Sequence, residues 1–312
     1  MRKKTYIEPI CASCTFEIAC KTLNLSLEQT NLNKEKKKEI KFRAIKQILK
    51  ILGEEFSEYS YPFRLSAKVY ESIKNITGII DPYKDLKELS NITILNLEDF
   101  FWKEINKGNT FKEKLYFAIL GSITGNLIDF GTAGHQINLE PENIKQKFHQ
   151  IKTHGLKINQ IDKLIEKLQK YKKVCYILDN AGEIVFDKMV MRLLKENGII
   201  STAIVKEGSI TNDATLDDAN MVKLEEFAEN IITTGSNSYG IDPKFVDPKF
   251  LQWLINEPLI IAKGQANLET FISLLNKIKL NDVFLILRVK CDVVSRLIGN
   301  VNKGDNVLEY IH

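Results

Sequence analysis

The chain is poor in the residues that build metal and redox frameworks. It holds four histidines and five cysteines in 312 residues. No two histidines have ligand spacing: His149, His154 and His312 read as exposed, and only His135 falls near a segment of functional character. So few cysteines in so long a chain exclude a disulfide-stapled fold. The one C-x-x-C, "CASC" at 11–14, offers two thiolates where a closed zinc site needs four ligands, with Cys20 the nearest further thiol. It also lacks the strand and helix context of a thioredoxin-type redox motif. The cysteines are expected to be reduced and packed, Cys175 and Cys291 in the core.

Long apolar runs are missing too. No stretch approaches the roughly 18 apolar residues of a membrane span. The leading "MRKKTYIEPICASC" is basic but has no continuous apolar signal core. A cytoplasmic protein with no membrane partner is expected. Neither sign of charge is in large excess, the net being +4. The densest basic run, "NKEKKKEIKFRAIKQILKIL" (33–52), sets Ile40, Ala44, Ile45, Ile48 and Leu52 on one stripe and lysines elsewhere. That is the pattern of a solvated amphipathic helix, so no nucleic-acid partner is expected. Repeats and low-complexity tracts are absent, and no pattern signals an oligomeric state.

What is present divides into two textures. Up to about residue 155, apolar residues recur at helical spacing near 15–24, 27–52, 63–76, 83–106, 110–128 and 141–150, with turn signals such as "DPYKD" and "NKGN" between them. Beyond Gly155, short runs rich in β-branched residues appear: 173–178, 198–205, 230–234, 258–264 and 282–289. Helix-length segments separate them, which predicts a mainly parallel sheet covered on both faces. The expected organisation is an all-helical domain over 1–155 and an α/β, doubly wound domain over 156–312.

Sheets of this kind bind ligands where strands end and loops lead into helices. Four polar stretches fall at such ends: Asp179-Asn180, "KEGSITNDATLDDA" (206–219), "TTGSNSYG" (233–240, with Gly235 and Ser236) and "AKGQANLE" (262–269, with Lys263). Mg²⁺ and Mn²⁺ prefer oxygen ligands, and a carboxylate beside a carboxamide limits the negative charge, leaving room for a phosphate dianion. Glycine-rich loops at helix starts offer N–H groups to phosphate oxygens, and a lysine adds a point charge. Asp179 and Asn180 are therefore expected to hold a metal that a phosphate also touches. Helix capping is the structural alternative for Asp179, Asn180 and Asp213.

"GNLIDFG" (125–131), "LDNAGEIVFD" (178–187), "NDATLDDA" (212–219), "AKGQANLE" (262–269) and "RVKCDVVSRLIG" (288–299) together resemble the damage-control phosphatase family. This ARMT1-like family was formerly domain of unknown function 89, and the chain is similar to its compact prokaryotic branch, from "CASC" to the segment around Cys291. The resemblance implies a helical domain on a Rossmann-like domain and a divalent-metal-dependent phosphatase. It places the metal on Asp179, Asn180 and Asp213, and brings Asn126 and Asp129 to the site from the helical half. Lys263 is expected on the phosphate, with Glu269 ordering its loop. Mn²⁺, Co²⁺, Ni²⁺ and Mg²⁺ are the expected cations, and the expected partner is a small phosphorylated metabolite, a sugar phosphate or a phosphorylated cofactor precursor. Glu183, one turn beyond Asp179, either caps backbone N–H groups or orients a water. Two routes of attack stay open, by an activated water or by the Asp179 carboxylate itself.

Rival classes lack their signals. A nicotinamide-dependent oxidoreductase needs G-x-G-x-x-G after its first strand, and this chain has "DNAGEI". A methyltransferase would show a glycine-rich nucleotide loop. A non-catalytic phosphometabolite binder gains little from crowding acids around an anion.

Overall fold

The structure, a computed structural model, describes residues 7–126 and 140–311, so Asp129, His135 and His312 lie outside the described residues. Helices come first: α1 (Pro9–Glu28), α2 (Lys34–Glu55), α3 (Pro62–Thr77), α4 (Lys84–Leu95), α5 (Glu98–Ile105), α6 (Phe111–Asn126) and α7 (Pro141–His154). Strands and helices then alternate: β1 (Ile158–Asn159), α8 (Ile161–Tyr171), β2 (Lys173–Ile177), α9 (Glu183–Glu196), β3 (Ile200–Val205), α10 (Leu216–Met221) and β4 (Asn230–Thr233). The chain continues with α11 (Pro248–Asn256), β5 (Leu259–Lys263), α12 (Gln265–Leu275), β6 (Asp282–Arg288), α13 (Asp292–Ile298) and β7 (Asn306–Ile311). Local chemistry marks the helix ends. Pro9, Pro62, Pro141 and Pro248 open helices where a missing N–H does no harm, the Asn33 carboxamide accepts from Lys36 N–H (2.9 Å), and Gly78 closes α3 at φ 73°.

The strands form one sheet in the order β1-β7-β6-β5-β2-β3-β4. Every pairing is parallel except β6 with β7. From β2 the chain steps outward through β3 to β4, and then returns to lay β5 on the other side of β2, with β6 beyond it. The order therefore reverses between β2 and β5, and at such a switch point the loops leave for opposite faces and open a crevice.

Alternation along β2 shows how both faces are buried. Val174, Tyr176 and Leu178 enter one core with Phe101, Ile119, Phe148 and Phe186, while Cys175 and Ile177 enter another with Phe250, Phe271 and Val294. A third core, built on Ala19, Leu23, Ala44, Ile48, Val69 and Ile73, joins α1, α2 and α3. Residues of α4 to α7 thus share their core with the sheet, and α1 to α3 have one of their own. Contacts bind that outer unit to the strand-end loops. Arg64 of α3 makes a two-pronged pair with buried Asp242 (2.5 and 2.8 Å), and the Ser209 hydroxyl donates to the Ile80 carbonyl (2.7 Å). Among the described residues no helix is long and apolar enough to cross a membrane.

The helical half comes closest to the α/β half where α6 crosses α9. Gly121 and Gly125 face α9, and a β-carbon on Gly125 would stand 2.6 Å from the Cα of Glu183. Backbone cannot yield as a flexible side chain can, so Gly125→Ala is expected to destabilise the protein by about 1–3 kcal/mol. Gly53, near the end of α2, has nothing within 4 Å of its virtual β-carbon. Gly53→Ala is expected to stabilise by about 0.5–1 kcal/mol, since alanine is the better helix former. Urea midpoints of the two variants should move in opposite directions, and a shared direction would contradict this packing.

Candidate active site

Beyond Ile177 the central strand does not stop at once. Leu178 N–H still bonds the Ile204 carbonyl, and then the backbone turns to meet the segment that follows β3. Ala214 N–H donates to the Asp179 carbonyl (2.8 Å) and Ala181 N–H to the Asn212 carbonyl (2.9 Å), so that Asn180 and Asp213 stand opposite each other as an antiparallel bridge. Backbone pairing thus brings Asp213 to Asp179 and Asn180, which lie over thirty positions earlier in the chain. Asp179, Asn180 and Asp213 are all buried, at the switch point between β2 and β5.

None of the three serves as a helix cap. The cap position of α9 is Gly182, at φ 75°, without a side-chain bond. The cap position of α10 is Thr215, whose N–H (2.9 Å) and hydroxyl (2.7 Å) both go to Asp218. The polar side chains are thereby left for the crevice. The Asn180 amide donates to Asp179 Oδ2 (2.9 Å) and to Glu183 Oε2 (3.1 Å), standing between two carboxylates. Asp179 in turn lies flat on the next strand end. Gly264, at φ 83°, has no room for a β-carbon, which would fall 2.0 Å from Asp179 Oδ2.

Beneath this layer is a fully buried ionic cluster. Lys263, only 1% exposed, directs its ammonium onto the Glu183 carboxylate and onto Asp187 Oδ1 (3.0 Å), and the Tyr176 hydroxyl donates to the same Asp187 oxygen (2.7 Å). Burial alone would lower the Lys263 pKa, but Asp187 and Glu183 outweigh it and hold the ammonium charged. The Asp187 carboxyl is pushed up to about 6: burial raises it, Lys263 pulls it back, and Glu183 raises it again. The ammonium expected on a phosphate is thus placed under the site, between two acids.

A second buried lysine, overlooked in the sequence, stands beside Asp213. Lys206 follows β3 directly, its Nζ donating to the Gly240 carbonyl (2.7 Å) at 3.8 Å from Asp213 Oδ2. Burial lowers its pKa, with Asp213 and then Asp179 opposing. No motif marks it; only the return of loop 206–215 onto the Asp179 segment brings it there. The third loop touches the site through Gly240. Its Gly235 packs against Asp247, and the Ser236 hydroxyl bonds within the loop to Ser238 (2.9 Å). Asn126 closes α6 one residue beyond Gly125, which lies against Glu183.

A cation suits this donor set. Around Asn180 there are four buried carboxylates, Asp179, Asp213, Glu183 and Asp187, and two buried ammonium groups, Lys206 and Lys263. With all six ionised the cluster is two positive charges short, and the side chains nearest the crevice offer oxygen, as hard divalent cations require. Among the described residues no three of His, Cys, Asp or Glu stand together as a ready metal cluster. A cation there would rest on the two aspartates with the Asn180 carboxamide as the third donor.

Such a fold and site define an α/β protein with an oxygen-rich polar cluster at the switch point of its sheet. The family model of the damage-control phosphatase ARMT1-like domain matches residues 7–307, and the chain belongs to that family. It is similar to an uncharacterised protein of Methanocaldococcus jannaschii, 36% identical over 305 residues, 97% of this chain and 94% of that one. It is also 31% identical over 307 residues to a protein of Archaeoglobus fulgidus named damage-control phosphatase, covering 98% and 99% of the two chains. A crystal structure of a DUF89 family protein from Pyrococcus horikoshii superposes with a TM-score of 0.81 at 26% identity, covering 97% and 98%.

The Asp187 proton should be visible in stability. An ordinary aspartate titrates near 3.8, whereas folded Asp187 keeps its proton up to about 6. Over that interval the native state binds the extra proton, so the contribution of Asp187 is complete at low pH and is lost as pH rises through about 6. Between about pH 4 and pH 7 the wild type is expected to lose stability relative to Asp187→Asn, read from urea unfolding at each pH. A difference that does not change with pH would show that Asp187 titrates normally.

Proposed function

We propose that this chain is a divalent-cation-dependent phosphatase that hydrolyses phosphate monoesters of small metabolites. The carrying observation is the pairing of the 179–181 and 212–214 segments, which seats Asp179, Asn180 and Asp213 together at the mouth of the crevice. Similarity to proteins named damage-control phosphatases supports the reading. Sugar phosphates and phosphorylated cofactor precursors are the substrate classes to test.

Uncatalysed hydrolysis of such esters is very slow, and electrostatic stabilisation must supply most of the acceleration. A bound divalent cation would neutralise charge on the phosphate oxygens and lower the pKa of a coordinated water. Asp179 and Asp213 would hold that cation, and Asn180 would complete the set without adding a third negative charge. Glu183 and Asp187 do not face the substrate as free anions, because both are paired with Lys263 from below.

Exhaustive chelation is expected to abolish hydrolysis of p-nitrophenyl phosphate or of a sugar-phosphate panel, and added Mn²⁺, Co²⁺, Ni²⁺ or Mg²⁺ to restore it. Asp179→Ala and Asp213→Ala should each lower turnover by at least about 10²-fold with the circular dichroism spectrum unchanged. Full turnover after chelation, or in either variant, would sink the proposal.

The seat of Asp179 supplies a separate test. Gly264→Ala drives a methyl group into the carboxylate, and a displacement on the order of 1 Å is enough to lower turnover about 10²-fold. Gly299 has the same φ of 83° but open space around it, so Gly299→Ala carries equal backbone strain and should retain turnover. Equal losses in both would trace the effect to strain and not to Asp179.

A further inference from the structure

The two buried lysines of the site differ in what their protons meet. An ammonium has three protons to place. Lys263 gives its protons to two carboxylates, Glu183 and Asp187, so its charge is matched inside the protein. Lys206 is 4% exposed and, among the described residues, finds one hydrogen-bond acceptor in range, the neutral carbonyl of Gly240 (2.7 Å). The Asp213 oxygen at 3.8 Å is at ion-pair distance and beyond a normal hydrogen bond. Even with Asp213 counted as an acceptor, the buried ammonium has one more proton than the described residues have places for it.

Its position is held from both sides. Lys206 N–H bonds the Ala214 carbonyl (2.9 Å), and Lys206 bridges Thr215, so its backbone moves with the segment that carries Asp213. Gly240, from the loop after β4, holds the far end of the side chain. Such double anchoring fixes a cation beside Asp213, at the switch point of the sheet. A phosphate monoester brings about two negative charges near neutral pH into a site already lined with carboxylates. A fixed ammonium with unmatched donors is what that anion needs, and charge-assisted bonds to phosphate oxygens are the strong kind.

We propose that Lys206 is the residue that grips the phosphate group of the substrate, oriented for that task by the Gly240 carbonyl. The assignment rests on the phosphatase reading of the site and moves the phosphate-binding role from Lys263 to Lys206. The third loop then contributes through its backbone: it aims Lys206 instead of touching phosphate with Ser236.

The test measures phosphate and metal separately. Inorganic phosphate is titrated calorimetrically into Mn²⁺-loaded wild type, Lys206→Met and Lys206→Gln, and Mn²⁺ into the metal-free proteins. Hydrolysis of p-nitrophenyl phosphate is followed in parallel. The glutamine variant keeps a donor for Gly240 and guards against a methionine variant that fails to fold. Loss of a charge-assisted bond is expected to weaken phosphate binding roughly tenfold to hundredfold and to raise KM in step. Mn²⁺ affinity should hold or tighten, because a repelling charge has been removed. Phosphate binding equal to wild type in the folded variants would overturn the assignment and leave Lys206 as a support for Asp213 alone. Phosphate binding lost in the variants, with no protein hydrolysing any monoester, would uphold Lys206 and overturn the phosphatase reading. A wild type that neither binds phosphate nor hydrolyses esters would overturn both.

Discussion

Lys263 is held between Glu183 and Asp187 in the middle of the molecule, and the candidate site is built over that buried pairing. Removing one partner of such a cluster strands a charge out of water, at about 3–5 kcal/mol. The constraint is therefore strong, and it acts on three elements at once. Lys263 ends β5, Glu183 and Asp187 occupy the first turns of α9, and Tyr176 of β2 donates to Asp187. With β2, β5 and α9 pinned together from below, the turn that carries Asp179 and Asn180 has little freedom. Asn180, bonded to Glu183 and to Asp179, connects the ionic cluster to the layer above it.

The helical half completes the same turn from above. Asn91 of α4 accepts from Gly182 N–H (2.6 Å) and donates to Asp218 (2.8 Å), so a single buried carboxamide ties the start of α9 to the start of α10. Lys87 adds a pair to Asp218 (3.4 Å) and another to Asp81 (2.9 Å). Gly182 meets Ser90, and Gly125 meets Glu183, at distances no β-carbon would permit. The helices are thus part of the positioning apparatus of the site.

Much of this was readable in the residues, for identifiable reasons. Strands β2, β3, β5 and β6 are largely buried and appear as apolar runs, and β4 at the edge keeps its β-branched residues, so all five were expected nearly where they lie. β7 pairs antiparallel near the sheet's edge and mixes Asn306 and Glu309 with apolar residues, and β1 has two residues, so neither run stood out. The long helical stretch at 83–106 is two helices, because the chain turns at Asn96 and Leu97. Asp179, Asn180 and Asp213 were legible because loops at strand ends converge whatever the details of packing. The separate tasks of Lys206 and Lys263 were not. Each stands at a strand end, and sequence position cannot say that one side chain turns toward two acids while the other reaches a backbone carbonyl beside Asp213. Competition among caps was equally hidden, since Gly182 and Thr215 took positions that neighbouring acids could have filled.

The strand order has a consequence for how the chain is made. β2 acquires β3 on one side soon after it is synthesised, but its partner on the other side, β5, begins at Leu259, more than eighty residues after Ile177. Until that segment leaves the ribosome, one edge of β2 has no native neighbour, and an open apolar edge invites pairing with other chains. The residue that follows β5 is Gly264, the seat of Asp179. Closure of the sheet and completion of the site are therefore a single late event, and a nascent chain released before residue 264 would hold an unprotected strand and an unseated carboxylate together.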